Sequence, residues 1–171
     1  MAAIFISFTH KDEDTAKLVK TFLKKRLGDD ATIFLACDPN DIVPGEKWMS
    51  RILEELKTTK VLVALLSRAA LRRPWIHFEA GAARMVEAMI IPVCLAGLPK
   101  GKLRPQYFSD SQAMELVYPS DCYKLESAIA KPLGRKPPDW PGRFPDEGNE
   151  AAKRPYRQLA NAIRELGPPR P

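Results

Sequence analysis

Ile4-Phe5-Ile6-Ser7-Phe8 decides the fold class of this 171-residue chain. Its apolar residues scarcely alternate, so it reads as a strand covered on both faces, as in a parallel sheet flanked by helices. Working outward, residues 9–14 are polar and offer Asp12 or Asp14 as a helix cap. A helix runs on to about Leu27, with Ala16, Val19, Phe22, Leu23 and Leu27 on one side at helical spacing, until Gly28-Asp29-Asp30 stops it. Residues 32–36 form a short second strand. The segment 37–45 holds Pro39, Pro44 and Gly45, which break both the helical and the strand period. A helix resumes near Glu46, with Trp48, Ile52, Leu53 and Leu56 on its apolar face, and residues 61–66 form a third, strongly apolar strand. Pro74 suits the first turn of the next helix. That helix extends toward Met89, with Phe78, Ala82, Met85 and Met89 as its core side. Residues 90–95 make a fourth strand, 113–117 a short fifth, and 122–133 a helix packed through Leu125 and Ile129. Strands alternating with helices predict an α/β domain, its mainly parallel five-stranded sheet covered on both faces.

After Pro132 the composition shifts: 9 of the 16 prolines fall in residues 132–171. Residues 134–149 read as an extended linker or arm. Residues 150–166 read as a helix whose stripe of Tyr156, Leu159, Ala160, Ile163 and Leu166 must cover either this domain or a partner chain. The expected organisation is a domain over 1–134 and a proline-rich arm with an amphipathic C-terminal helix over 135–171.

Composition narrows the function classes. Hydrophobic residues are 45% and charged residues 28%, ordinary for a soluble globular chain. No apolar stretch approaches the roughly 20 residues of a spanning helix, and the start lacks a signal peptide's basic region. Cys37, Cys94 and Cys122 are odd in number and unpaired in spacing, which fits buried thiols in a reducing, cytoplasmic compartment rather than a disulfide framework. With only His10 and His77 beside them, no zinc ligand set is expected. The net charge of +6 invites a nucleic-acid reading, but about +4 of it lies in residues 131–171. No aromatic RNA-binding motif or helix-turn-helix accompanies it, so nucleic acid is not the expected partner.

Several landmarks fall into one order. Phe5-Ile6-Ser7-Phe8 followed by Asp12 resembles the opening box of Toll/interleukin-1 receptor (TIR) domains. Ile42-Val43-Pro44-Gly45-Glu46-Lys47-Trp48 is similar to the end of that family's BB loop. Leu65-Leu66-Ser67 resembles the end of its third strand, and Trp75-Ile76-His77-Phe78-Glu79 resembles the Trp-xxx-Glu signature of its NAD-cleaving members. The resemblance covers roughly residues 4–133 and is nearest to prokaryotic TIR proteins. It implies a flavodoxin-like three-layer sandwich. It also implies an NAD glycohydrolase or cyclase that releases nicotinamide and gives ADP-ribose or a cyclic isomer. Activation would come through self-association with other TIR domains by the loop from Cys37 to Trp48, in anti-phage or innate immune signalling triggered by a separate sensor or effector protein.

Under that resemblance Glu79 is the catalytic residue, and Phe8, Thr9, Asp38, Trp48, Ser67 and Trp75 contact the substrate. The residues themselves leave plainer readings open. Glu79 suits an early helical turn through the dipole alone. Trp75 and Phe8 suit a core, Asp38 an Asx turn before Pro39, and Ser67 a loop cap. Thr9 stands where some relatives carry an arginine, so a phosphate clamp would fall to Lys11, Lys47, Arg68 or Arg72.

The chemistry asks for little apparatus. Ligands of open parallel sheets bind at the carboxyl ends of the strands, where the segments after strands one, two and three converge. Trp75 and Glu79, four residues apart, share a helix face. The leaving nicotinamide is a cationic pyridinium that departs neutral, so no proton donor is required, unlike the paired carboxyls of ordinary glycosidases. One carboxylate can stabilise the ribosyl oxocarbenium, a contribution of about 3–4 kcal/mol for groups of this kind. Neither metal nor cofactor is expected; NAD is the substrate. The alternatives are a non-enzymatic adaptor acting by TIR–TIR contact and a flavodoxin-like nucleotide domain. The latter lacks a glycine loop in Thr9-His10-Lys11-Asp12.

Overall fold

The computed structural model describes residues 3–36, 48–95, 97–103, 108, 112–139 and 150–167, with backbone alone at Trp48 and Lys102. Four strands, β1 (Ile4–Ser7), β2 (Ile33–Ala36), β3 (Val61–Leu66) and β4 (Met89–Cys94), pair in parallel in the order β2-β1-β3-β4. This is the flavodoxin-like order, in which the chain leaves β1 to one side for β2 and returns to its other side for β3. The longer helices among the described residues are α1 (Glu13–Leu27), α2 (Trp48–Lys57), α3 (Pro74–Met85), α4 (Pro119–Ala130) and α5 (Glu150–Leu166).

Strand pleat divides the core in two. Ile4, Ile6, Phe8, Val61, Val63 and Leu65 meet α1, α4 and α5. Phe5, Leu62, Ala64 and Leu66 meet α2 and α3. Every β3 residue is buried, as its unbroken apolar run requires.

The expected fifth strand is a single parallel bridge, Val93 to Met114. The Cys94 amide donates to the Met114 carbonyl and the Met114 amide to the Pro92 carbonyl. One step earlier the ladder would need an amide from Pro92, which has none. The described sheet therefore has four strands, not five.

The core side of α3 also differs from expectation. Ala82 packs partly buried against the core as expected, but Phe78 is 42%, Met85 85% and Met89 41% exposed, whereas Ile76, Glu79, Ala80 and Ala83 are buried. The helix ends at Met85, because Glu87 takes a left-handed conformation (φ 57°) and the Ala88 amide reaches back to the Ala83 carbonyl. On α2, Ile52 and Leu56 are buried as expected, but Leu53 faces outward.

The C-terminal helix covers this domain itself. Tyr156, Leu159, Ala160 and Ile163 join the core of the α1 face, and only Leu166 of the expected stripe is exposed. The Tyr156 ring sits edge-on to Phe22 of α1 at 6.0 Å and to Tyr123 of α4 at 5.8 Å. Its hydroxyl accepts from Arg26, which also donates to the buried Glu126 at 2.8 Å. Among the described residues no helix is long and apolar enough to cross a membrane. Cys94 and Cys122 are buried free thiols; Cys37 lies outside the described residues.

Candidate functional site

The sheet order reverses between β1 and β3, and their carboxyl ends form the crevice where such folds bind ligands. Ser7, the last residue of β1, lies in register between Ala36 of β2 and Ala64 of β3. Two small neighbours leave space above the strand, and α3 fills it with the side chain of Glu79. That carboxylate is fully buried. Ser7 donates its hydroxyl proton to Glu79 Oε2, and the Trp75 indole Nε1–H donates to Glu79 Oε1 at 2.8 Å. Each oxygen thus has a fixed donor, which sets the plane of the carboxylate against the end of β1.

Trp75 reaches Glu79 because the two are one helical turn apart. Its ring stacks on Phe78 at a centroid distance of 4.9 Å, with Trp75 half-buried and Phe78 exposed. Pro74 opens the helix at a position where its missing amide costs no hydrogen bond.

A second polar knot closes the same edge. Thr9 follows β1 and Ser67 follows β3, and both donate to one oxygen of Asp12: Thr9 Oγ1 to Oδ2 at 2.7 Å, Ser67 Oγ to Oδ2 at 2.9 Å. The Ser67 hydroxyl also accepts from the Ala70 amide. Asp12 therefore does not cap α1 with its side chain as the local sequence suggests, and the exposed Asp14 makes no such cap either. Burial raises the Asp12 carboxyl above its ordinary range, against the opposing pull of Thr9, Ser67 and the Lys11 charge.

Of the expected site residues, the structure gathers Thr9, Ser67, Trp75 and Glu79 around the carboxyl ends of β1 and β3. Phe8 does not join them; it turns to the opposite face and packs in the α1 core. Asp38, the Trp48 side chain and most of the loop from Cys37 to Trp48 lie outside the described residues. Of the candidate phosphate contacts, Arg68 donates to the Gly97 carbonyl at 2.7 Å, beside a cleft of about 360 Å³ past the end of β4. Lys11 and Arg72 are exposed, and Lys47 is outside the described residues. Two residues escaped sequence reasoning: Ser7 as the partner of Glu79, and Asp12 as the hub for Thr9 and Ser67. Ser7 left a signal, because a lone hydroxyl in a strand buried on both faces must find a partner.

Residues 4–125 match the family model described as TIR domain. The metazoan TIR-STING receptor from C. gigas is similar in structure, with a TM-score of 0.56 and 22% identity, over 77% of this chain and 41% of that one. The chain thus spans less than half the length of that receptor. The TIR domains of the activated Roq1 resistosome, which directly recognises the pathogen effector XopQ, align at a TM-score of 0.44 and 14% identity, over 94% of this chain and 84% of that one. No curated protein matches.

Proposed function

Because the chain belongs to the TIR domain family, we propose that it cleaves the nicotinamide–ribose bond of NAD, with Glu79 as the catalytic residue. The observation that carries this reading is the Glu79 carboxylate, set at the carboxyl end of β1 with one oxygen held by Ser7 and the other by Trp75. A carboxylate fixed in this way is preorganised, so it stabilises developing positive charge without the cost of reorienting during reaction.

In the reaction the C–N bond to ribose breaks and its electron pair stays with nitrogen, so the pyridinium leaves as neutral nicotinamide. Positive charge develops on the ribosyl carbon and ring oxygen, opposite the Glu79 carboxylate. Attack by water, with loss of a proton, gives ADP-ribose; attack by an adenine nitrogen gives a cyclic isomer. Trp75, with Phe78 stacked on it, supplies an aromatic wall next to that carboxylate. Glu79 is fully buried, so it must be uncovered before a ribose can meet it. Activation by self-assembly through the loop from Cys37 to Trp48 would supply that step. The biological setting we propose is cytoplasmic immune signalling of the anti-phage type, with the trigger on a separate protein.

The same burial supports a second reading. A carboxylate with both oxygens engaged inside the domain also serves as a structural tie between β1 and α3, and the chain would then act as an adaptor by TIR–TIR contact. Nicotinamide release from NAD by the concentrated full chain, beside a Glu79→Ala control, separates the two. The enzyme reading expects release that disappears in the variant. Release that persists in the variant, or none from the wild type after forced assembly, favours the adaptor.

A further inference from the structure

The second carboxyl at this edge is arranged differently from the first. Thr9 and Ser67 both give their protons to Asp12 Oδ2. Asp12 Oδ1 is buried and has no hydrogen-bond partner among the described residues. The residue is only 2% exposed. A buried carboxyl oxygen without a donor is costly, and in native structures it calls for an explanation such as an absent ligand or water. Its position adds a second reason, since the crevice between β1 and β3 is where this sheet order places ligands.

The chemistry of the surrounding groups narrows the ligand. A hydroxyl carries one proton, and those of Thr9 and Ser67 are already committed to Oδ2. Toward a ligand these groups can offer lone pairs only, and Ser67 already uses one on the Ala70 amide. The knot therefore presents acceptors, which repel a phosphate and select a group rich in donors. A sugar with free hydroxyls is such a group.

We propose that Asp12 is a substrate-binding residue whose Oδ1 accepts a hydrogen bond from a ribose hydroxyl. The assignment rests on the reading that NAD is the substrate. It deepens that reading by placing the sugar, rather than the diphosphate, against the start of α1. Asp12 and Glu79 then divide the work: Asp12 orients the ribose and Glu79 faces its reacting carbon.

The test is titration of the full chain and its Asp12→Asn variant with ADP-ribose, which carries the sugar and cannot be turned over, and separately with nicotinamide. Asparagine keeps an acceptor for Thr9 and Ser67 but turns an N–H toward the ligand's donor. The expected result is a rise of at least tenfold in the Kd for ADP-ribose, an unchanged Kd for nicotinamide, and a melting temperature equal to or above wild type because a buried charge has gone. An ADP-ribose affinity within twofold of wild type overturns the assignment, as does an effect confined to nicotinamide. Should the variant fold poorly, the carboxyl ¹³C resonance of Asp12 in the wild type serves instead; it should move on addition of ADP-ribose, and a static resonance overturns the proposal. Binding of ADP-ribose without any cleavage of NAD after forced assembly defeats the catalytic reading and leaves Asp12 standing. Cleavage with an indifferent Asp12→Asn variant does the reverse, and absence of ADP-ribose binding at millimolar concentration overturns the Asp12 assignment.

Discussion

Replacing Tyr156 by alanine tests whether the C-terminal helix is part of the domain. The ring is 2% exposed, wedged between Phe22 and Tyr123, with the Arg26 guanidinium 5.3 Å above its centre. Truncation of a buried aromatic costs about 3–5 kcal/mol through lost transfer energy and the cavity left behind. Both edge-on contacts lie within the distance at which aromatic pairs add to area burial, so the upper part of that range applies. At about 4–5 kcal/mol and about 2–4 °C per kcal/mol for a chain of this size, Tyr156→Ala should melt roughly 8–20 °C below wild type. Thermal and urea unfolding followed by circular dichroism would measure it. Tyr156→Phe, which removes only the hydroxyl that accepts from the charged Arg26, should lose about 1.5–3 kcal/mol. A loss below about 1 kcal/mol for Tyr156→Ala would refute the docking of α5 on α1 and α4, and return that helix to the role of a partner-binding arm.

Three further outcomes follow from the same contacts. Trp75→Phe keeps the stack on Phe78 but removes the donor to Glu79 Oε1; it should lower kcat for nicotinamide release roughly tenfold or more with the fold intact by circular dichroism. Glu126→Gln loses the charged partner of Arg26 at a 5% exposed side chain, and urea unfolding should show a loss of about 1.5–3 kcal/mol. Burial pushes the Cys94 thiol up to about 11 and Cys122 up to about 12, so neither is a thiolate at neutral pH. Mass-spectrometric mapping after mild alkylation of the native chain should find both unmodified.

Much of this molecule was legible in its sequence, and what was not has identifiable causes. The strands were readable because parallel strands covered on both faces are unbroken apolar runs, as in Val61–Leu66. The bounds of α5 followed from its stripe, but its docking partner did not. The contacts that seat Tyr156 come from Phe22, Arg26 and Tyr123 on two other helices, and no local period reports contacts across that separation. The face of α3 was misjudged because its inner side is poor in large apolar residues. Its true inner face, Ile76, Glu79, Ala80 and Ala83, carries a carboxylate and two alanines. Phe78 and Met85 outweigh these in apolar signal while lying on the outer side, and Met89 belongs to β4 rather than to the helix. A carboxylate buried in a helix's core face inverts the pattern used to find that face. Asp12 was misread because a carboxylate before a helix has an ordinary local use as a cap. Of its two actual partners, Thr9 is local but Ser67 lies 55 residues away. On its earlier side the fifth strand is stopped by Pro92, which has no amide to extend the ladder before the bridge of Val93 to Met114.

The central claim is that the charge of Glu79, rather than its bulk or its tie to β1, performs the chemistry. Glu79→Gln isolates it, because glutamine keeps the shape and retains an acceptor for Ser7 or Trp75. Nicotinamide release from NAD should be compared between wild type and this variant at equal concentration, with unfolding curves confirming equal folded fractions. Loss of electrostatic stabilisation worth about 3–4 kcal/mol predicts a rate lower by roughly two to three orders of magnitude at nearly unchanged stability. A Glu79→Gln variant that releases nicotinamide at the wild-type rate would contradict the account.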